Sequence, residues 1–543
     1  MGIILNENLL FTDEIFDFIS ALNGTSALGL YNSMQFVLRL RDDIRKALDK
    51  EEIDEEKIQA FSTSIHENIH WWQHIGSNFG FLLSLSYPVY STSIIGPLKD
   101  LISKNILYKS ILLYDKLYTS GNEQTKHKEI NSILNNYYDW HYAKLFAYNN
   151  ENINDIANDR RFFLNIGHCY NVFLGKSIAS LYDIAGKKCN PLPNVEKWQD
   201  EFKKLGHNKI EGFYEDSPVS ISPLGIHAIF EGQARFIQIQ YLASAFKLDF
   251  EDFVNRGMLN KIYGEAFRLF LDVTGFKKPT SPLNNIVGLF LLICDISINP
   301  NNGFPLDVYD YPNFVIKNDP GLRFFLFCQI IAKKPNHYLE KINLYTKDEY
   351  IELCNELCVA NGCISSYKSM EDVLIWFKGD EIKSLLLEES KMEFKGSNLP
   401  IRLLFSKYLR FQEDKYEYPH IFCWLGYHSV SDNARVDFEL TKRIFLKHHA
   451  LYRDDYDGEI KAVLHDGYPQ ENIVSTFNNF YKYNIVYDLI LKWVSEAGPF
   501  KYQYGWLTNA KKSEFVPEVK KAFKEAFNIY PDQIKILPID PNG

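Results

Sequence analysis

Residues 71–98 contain no Asp, Glu, Lys or Arg. A run of that length stays dry in one of two ways: it crosses a membrane, or it lies inside a large folded core. Gln73, His74, Asn78, several serines, Gly76, Gly80, Pro88 and Pro97 interrupt it. Lipid offers nothing to such polar groups, so the run reads as a buried helix followed by a loop. The other apolar stretch, "IVGLFLLICDISI" (286–298), is too short to span and carries Asp295. No membrane span is expected.

A core that absorbs these segments needs a substantial chain. The 543 residues are 46% hydrophobic and 15% aromatic, which is enough for two to four domains. Net charge is −10 with acids and bases interleaved, which argues against a nucleic-acid partner. The eight cysteines (169, 189, 294, 328, 354, 358, 363 and 423) form no CxxC pair and read as packed, reduced thiols. The start, "MGIILNENLLFTDEIFDF", has no basic region, and Asn6 stands where a myristoylation signal needs Ser or Thr. A cytoplasmic location is the expectation.

Helical periodicity dominates. "EEIDEEKIQAFSTSIHENIHWWQHIGS" (51–77) predicts a long helix with an acidic first turn, ending near Gly76. Further helices are predicted in 108–118, 161–186 and 222–246, the last with Pro223 in its first turn. Residues 284–298 are apolar nearly all round and predict a buried helix. Strand signals are confined to "GIILNENLLFT", "SMQFVLRLRD" and the C-terminal "QIKILPI". Turn-rich breaks fall at 299–313 and 393–400. The fold class is therefore mainly α (α+β), with a small N-terminal sheet.

Within the long helix stands His66-Glu67-Asn68-Ile69-His70, an HExxH pattern. Residues four apart share a helix face about 6 Å apart along the axis, so two imidazoles can hold one Zn²⁺. Glu67 between them can take a proton from the metal's water and pass it to a leaving amine. His74 lies eight residues from His66, about 12 Å along a straight helix, too far to share that metal. It reads as a wall residue. Glu67-x-x-His70 also fits a di-iron half-site, but the other ExxH, Glu417-Tyr418-Pro419-His420, contains a helix-disrupting proline. His448, His449 and His465 fall in a charged region and are expected to be solvated. Serine-hydrolase, Walker and dinucleotide motifs are absent from the sequence.

The motif helix resembles that of the zincin metallopeptidases. Thr63 stands three residues before the first histidine, Asn68 and Ile69 are uncharged, and Trp71 and Trp72 follow. The metzincin continuation fails, because Gln73 and Gly76 occupy the slots of its glycine and third histidine. The gluzincin branch takes a glutamate from a later helix. Glu231, in "GIHAIFEGQARFIQ", has the matching E-G-x-A context. A carboxylate on an otherwise apolar helix must be paired or bind metal if buried. Gly232 and Ala234 are expected to let that helix approach the motif helix. His227, one turn earlier, is the rival ligand, and His168 comes after it. Tyr263, Arg235, Tyr309 and Tyr311 are candidates for stabilising an oxyanion. Asp295 needs a partner: a ligand histidine, a helix cap or an arginine.

The resemblance covers two helices, not the whole chain. It implies a zincin-like metallopeptidase core in residues 1–300 with a helical insertion at about 80–220. A helical region (301–395) and a C-terminal region (396–543) that binds substrate or a partner protein follow. It implies a zinc-dependent metalloendopeptidase acting on a protein or peptide, with His66, His70 and Glu231 on Zn²⁺ and Glu67 as catalytic base. The alternative is a zincin-like binding module whose metal site is structural or unused.

Overall fold

The structure, a computed structural model, describes residues 5–10, 28–33, 35–118, 127–148, 165–186, 192–218, 220–429, 436–464 and 467–538. Helices dominate these residues, as the periodicity predicts. The motif helix is Glu55–Gly76. The Asp54 carboxylate accepts the Lys57 amide at 2.8 Å, and Glu55 and Glu56 face the positive end of the helix dipole. The helix stops at Ser77, whose extended backbone turns the chain.

The uncharged run then departs from expectation. The Ser77 hydroxyl accepts from the Gly80 amide at 3.0 Å and starts another helix at once. That helix, Asn78–Ser103, runs through Pro88 and Pro97, where a loop was expected. Each proline removes one helical hydrogen bond. Burial of Phe79, Phe81, Leu85, Val89, Ile94 and Leu98 keeps the segment helical regardless. Among the described residues no helix is long and apolar enough to cross a membrane.

Four strands form the main sheet: β1 (Gly29–Asn32), β2 (Val37–Leu40), β4 (Tyr452–Asp454) and β5 (Ile460–Ala462), in the order β1-β2-β4-β5. β1 pairs antiparallel with β2, in register Gly29↔Leu40. β2 runs parallel to β4. A second, two-stranded sheet pairs β3 (Tyr108–Lys109) in parallel with β6 (Lys535–Ile536). Both sheets tie the first fifth of the chain to the last. The Asp454 carboxylate reinforces this by accepting from the Leu40 amide (3.2 Å) and the Arg45 guanidinium (2.6 Å). The second predicted strand is β2, and the C-terminal one shrinks to β6. Of the first, residues 5–10 hold a 3₁₀ turn at Glu7–Leu9 rather than a strand, and residues 2–4 and 11–12 lie outside the described residues.

Glu231 sits on the helix Ile226–Phe246, packed along the motif helix. Gly225 caps it, so Pro223 lies before the helix and not in its first turn. Gly232 does not face the motif helix. A Cβ there would meet Ala266 Cβ and Phe290 Cζ, each at 3.4 Å, so the glycine serves the packing of Ile262–Thr274 and Asn285–Ile298 on the far side. Asn285–Ile298 is the buried helix that its composition predicts. Its Asp295 pairs with neither an arginine nor a ligand histidine. It faces Lys415 Nζ (3.3 Å) and accepts from the Tyr350 hydroxyl (2.6 Å).

The breaks after Ile298 and Lys391 fall where turn-rich sequence places them. One apolar core runs across both: Trp72 of the motif helix packs on Phe411, Phe422 and Phe445. The seven described cysteines are buried free thiols. Cys189 lies outside the described residues.

Candidate metal centre

HExxH spacing puts His66 and His70 on one face of the motif helix, and both are buried. Their Nε2 atoms lie 3.2 Å apart. Glu231 arrives from the neighbouring helix, with Oε2 3.3 Å from His66 Nε2 and Oε1 3.5 Å from His70 Nε2. One ligand atom from each of the three residues falls within 4.8 Å of the others. Two imidazole nitrogens and a carboxylate aimed at one small space suit a divalent cation, and the His₂Glu set matches zinc in donor type and number.

Gln73 fixes His70. Its amide nitrogen donates to the Phe230 carbonyl and to Gln233 Oε1, both at 2.9 Å. Its oxygen is therefore the atom 2.8 Å from His70 Nδ1. His70 donates from Nδ1, which leaves the Nε2 lone pair for the centre. Gln73 stands three residues past His70, on the same helix face, and that spacing is the signal that could have marked it as an orienting residue. His66 Nδ1 is buried without a hydrogen-bond partner.

Glu67 faces the sheet. β1 crosses it closely: a Cβ at Gly29 would stand 2.7 Å from Glu67 Oε1. The Tyr31 amide also reaches the carboxylate. Burial lifts the Glu67 carboxyl most, the charge at His70 opposes this, Glu231 adds to it, and the balance is about 7. Burial drives His66 down to about 3, so it stays neutral. Burial also disfavours charge on His70, but the Glu231 carboxylate outweighs it and lifts His70 to about 9. Glu231, which burial alone would raise, is held well below the usual range by His70, His227 and His66. The Glu231 carboxylate thus favours a positive charge beside it, the role a bound divalent cation would fill.

The other candidates sort by position. His227 Nε2 lies 3.6 Å from Glu231 Oε1, on the outer side of the carboxylate, and falls outside the three-residue cluster. His168 pairs with Asp139 (3.4 Å), its side chain largely exposed. His74 packs on Tyr31 and Phe230 and falls outside the three-residue cluster. Tyr263 and Arg235 lie at the centre: the Tyr263 ring is 6.0 Å from that of His66, and the Arg235 guanidinium covers it at 4.0 Å. Tyr309 binds Asn301 (2.8 Å) and Tyr311 packs on Phe202, so neither belongs to the site. His448 is not solvated. It is buried and paired with Asp414 (2.6 Å), and its carbonyl accepts from the Trp72 indole at 2.8 Å. His449 Nε2 lies 3.1 Å from the Asn68 amide nitrogen, and His465 is outside the described residues. The contacts of His448 and His449 bring residues 448–450 against the second half of HExxH, which no local pattern indicates.

No protein-family model matches the chain, and neither a curated protein nor a solved structure matches it.

Proposed function

We propose that the chain is a zinc-dependent metalloendopeptidase of gluzincin type. The reading rests on one observation: Glu231 reaches His66 and His70 at 3.3 and 3.5 Å from another helix. HExxH on a helix is a pattern, whereas HExxH met by a buried carboxylate is a three-donor cradle with an acid beside it. Zinc, if held by His66, His70 and Glu231, would supply a Lewis acid able to polarise a carbonyl and acidify water.

The remaining work belongs to the protein. Glu67, whose carboxyl burial lifts, takes a proton from the attacking water and returns it to the leaving amine. Tyr263, pushed up to about 12 chiefly by burial, keeps its hydroxyl proton and can donate a hydrogen bond to a developing oxyanion. The Glu231 side chain is 18% exposed and that of His227 35%, against 6% for His66, so substrate reaches the centre from the Glu231 side. Among the described residues β1 pairs only with β2, which leaves one edge for an extended peptide beside Glu67.

The test compares wild type with Glu67→Gln in an unbiased cleavage survey, with zinc content measured in parallel. The expected result is about one zinc per chain in both proteins and cleavage by wild type alone. A Glu67→Gln protein that cleaves like wild type ends the peptidase reading. Zinc in both with cleavage in neither supports the binding-module alternative.

A further inference from the structure

Next to the metal centre lies a cavity of about 300 Å³. His74, one helical turn beyond His70, forms one wall. Tyr148 forms another and stacks on His227, with ring centroids 5.1 Å apart. Ser33, just past β1, lines a third side. β1 therefore leads from Glu67, beside Gly29, to the cavity at Ser33, about 13 Å of extended strand. A peptide following that track places a side chain in the cavity within a few residues of the reacting carbonyl.

The lining has a one-sided chemistry. Among the described residues it contains no acidic one. Lys144 belongs to it, half-buried, and makes no hydrogen bond or ion pair among the described residues; burial alone acts on its ammonium and pulls its pKa down. Tyr90 and Trp140 give the wall aromatic faces. A half-buried cation with no anion among the described lining residues calls for a ligand that brings negative charge and acceptor oxygens. The aromatic faces suit methylene groups, and the lysine repels the cations that an aromatic cage otherwise attracts. The volume lies at the lower end of small-ligand pockets, enough for a side chain or chain end rather than an extended segment.

We propose that this cavity is a specificity pocket that takes a carboxylate of the substrate, with Lys144 as its counter-charge. The word substrate rests on the peptidase reading; the pocket's affinity for a carboxylate does not. The carboxylate has two sources, the side chain of an internal acidic residue or the C-terminus of a peptide.

The test is calorimetric titration of the full-length Glu67→Gln protein, alone and combined with Lys144→Met or Lys144→Arg. The probes are N-acetylglutamic acid α-amide, N-acetylalanine and the neutral N-acetylglutamine amide. The expected result is binding of at least one acid, weakened ten-fold or more in Lys144→Met and retained in Lys144→Arg. Tighter binding of the glutamyl probe assigns the pocket to a side chain, and tighter binding of N-acetylalanine to a chain end. Absence of binding by both acids, equal binding of the neutral amide, or unchanged binding in Lys144→Met overturns the pocket. A wild type that cleaves peptides without preference for an acidic group near the cut also overturns it and leaves the peptidase reading intact. Binding of the acids by a protein that never cleaves does the reverse.

Discussion

A Cβ at Gly29 would lie 2.6 Å from Glu67 Cγ. The first strand of the sheet and the acid of HExxH therefore touch at a position where any side chain would collide with that acid. Gly29→Ala forces Glu67 aside while leaving the three metal donors in place. The expected outcome is a fall in kcat/KM of about 10²-fold, because small misplacements of a catalytic group carry large rate costs. Zinc content should stay at the wild-type level. Wild-type kcat/KM in Gly29→Ala would show that the contact does not position the acid.

The metal donors should fail differently. Glu231→Ala and His66→Ala remove a donor each, and both proteins should lose zinc on dialysis that wild type survives. Elemental analysis decides the third donor. If Glu231→Ala holds zinc with unchanged affinity, His227 at 3.6 Å from the carboxylate is the next candidate.

Gln73 orients His70 without touching the centre. Gln73→Leu removes the acceptor for Nδ1–H and takes the side-chain donor from the Phe230 carbonyl. Zinc affinity should fall about 10–100-fold, as is usual when an outer partner of a ligand histidine is lost. Competition with a metallochromic chelator measures it.

Glu389, which contacts none of the candidate metal donors, sets a pH dependence. Burial would raise its carboxyl, but Lys407 (2.6 Å) and Arg410 (3.1 Å), with the Tyr468 hydroxyl, outweigh that and bring it down to about 2. The folded pKa is depressed, so its contribution is present above the unfolded value near 4.5 and is lost as pH falls from there toward 2. The shift corresponds to about 3 kcal/mol. Glu389→Gln should be less stable than wild type at pH 7 in urea denaturation, with the gap closing below pH 4. A gap independent of pH would remove the ion pairs as its cause.

Asp295 and Lys415 form a buried pair at 3.3 Å. Asp295→Ala strands the ammonium in the core and should cost about 3–5 kcal/mol. Asp295→Leu combined with Lys415→Met removes both charges and should recover most of that loss. The double variant matching the single one in urea midpoint would show that the charge is not what the pair supplies.

The sequence by itself determined the local structure. The motif helix follows from its capping Asp54, its acidic first turn and its repeating apolar face, and HExxH spacing then places His66 and His70 side by side with no help from the rest of the chain. The burial of Asn285–Ile298 follows from an apolar circumference that water would not tolerate. Glu231 was legible as a candidate, because its helix is otherwise apolar and its neighbours fit. These features are readable because helical hydrogen bonds join residues four apart, so the pattern and its cause occupy the same short window.

Tertiary structure alone decided the rest. The helix through Pro88 and Pro97 persists because packing outweighs two missing hydrogen bonds, a balance that local propensity reverses. His448 is buried because Asp414 and Trp72 come to it from other helices, although its own neighbours are charged. Gly232 serves the far side of its helix, and the contact with Glu67 falls instead to Gly29, on a strand held by β2. Whether Glu231 meets His66 and His70 depends on how helices some 160 residues apart stack. That is settled by the shape and burial of whole surfaces, and no short pattern of residues records it.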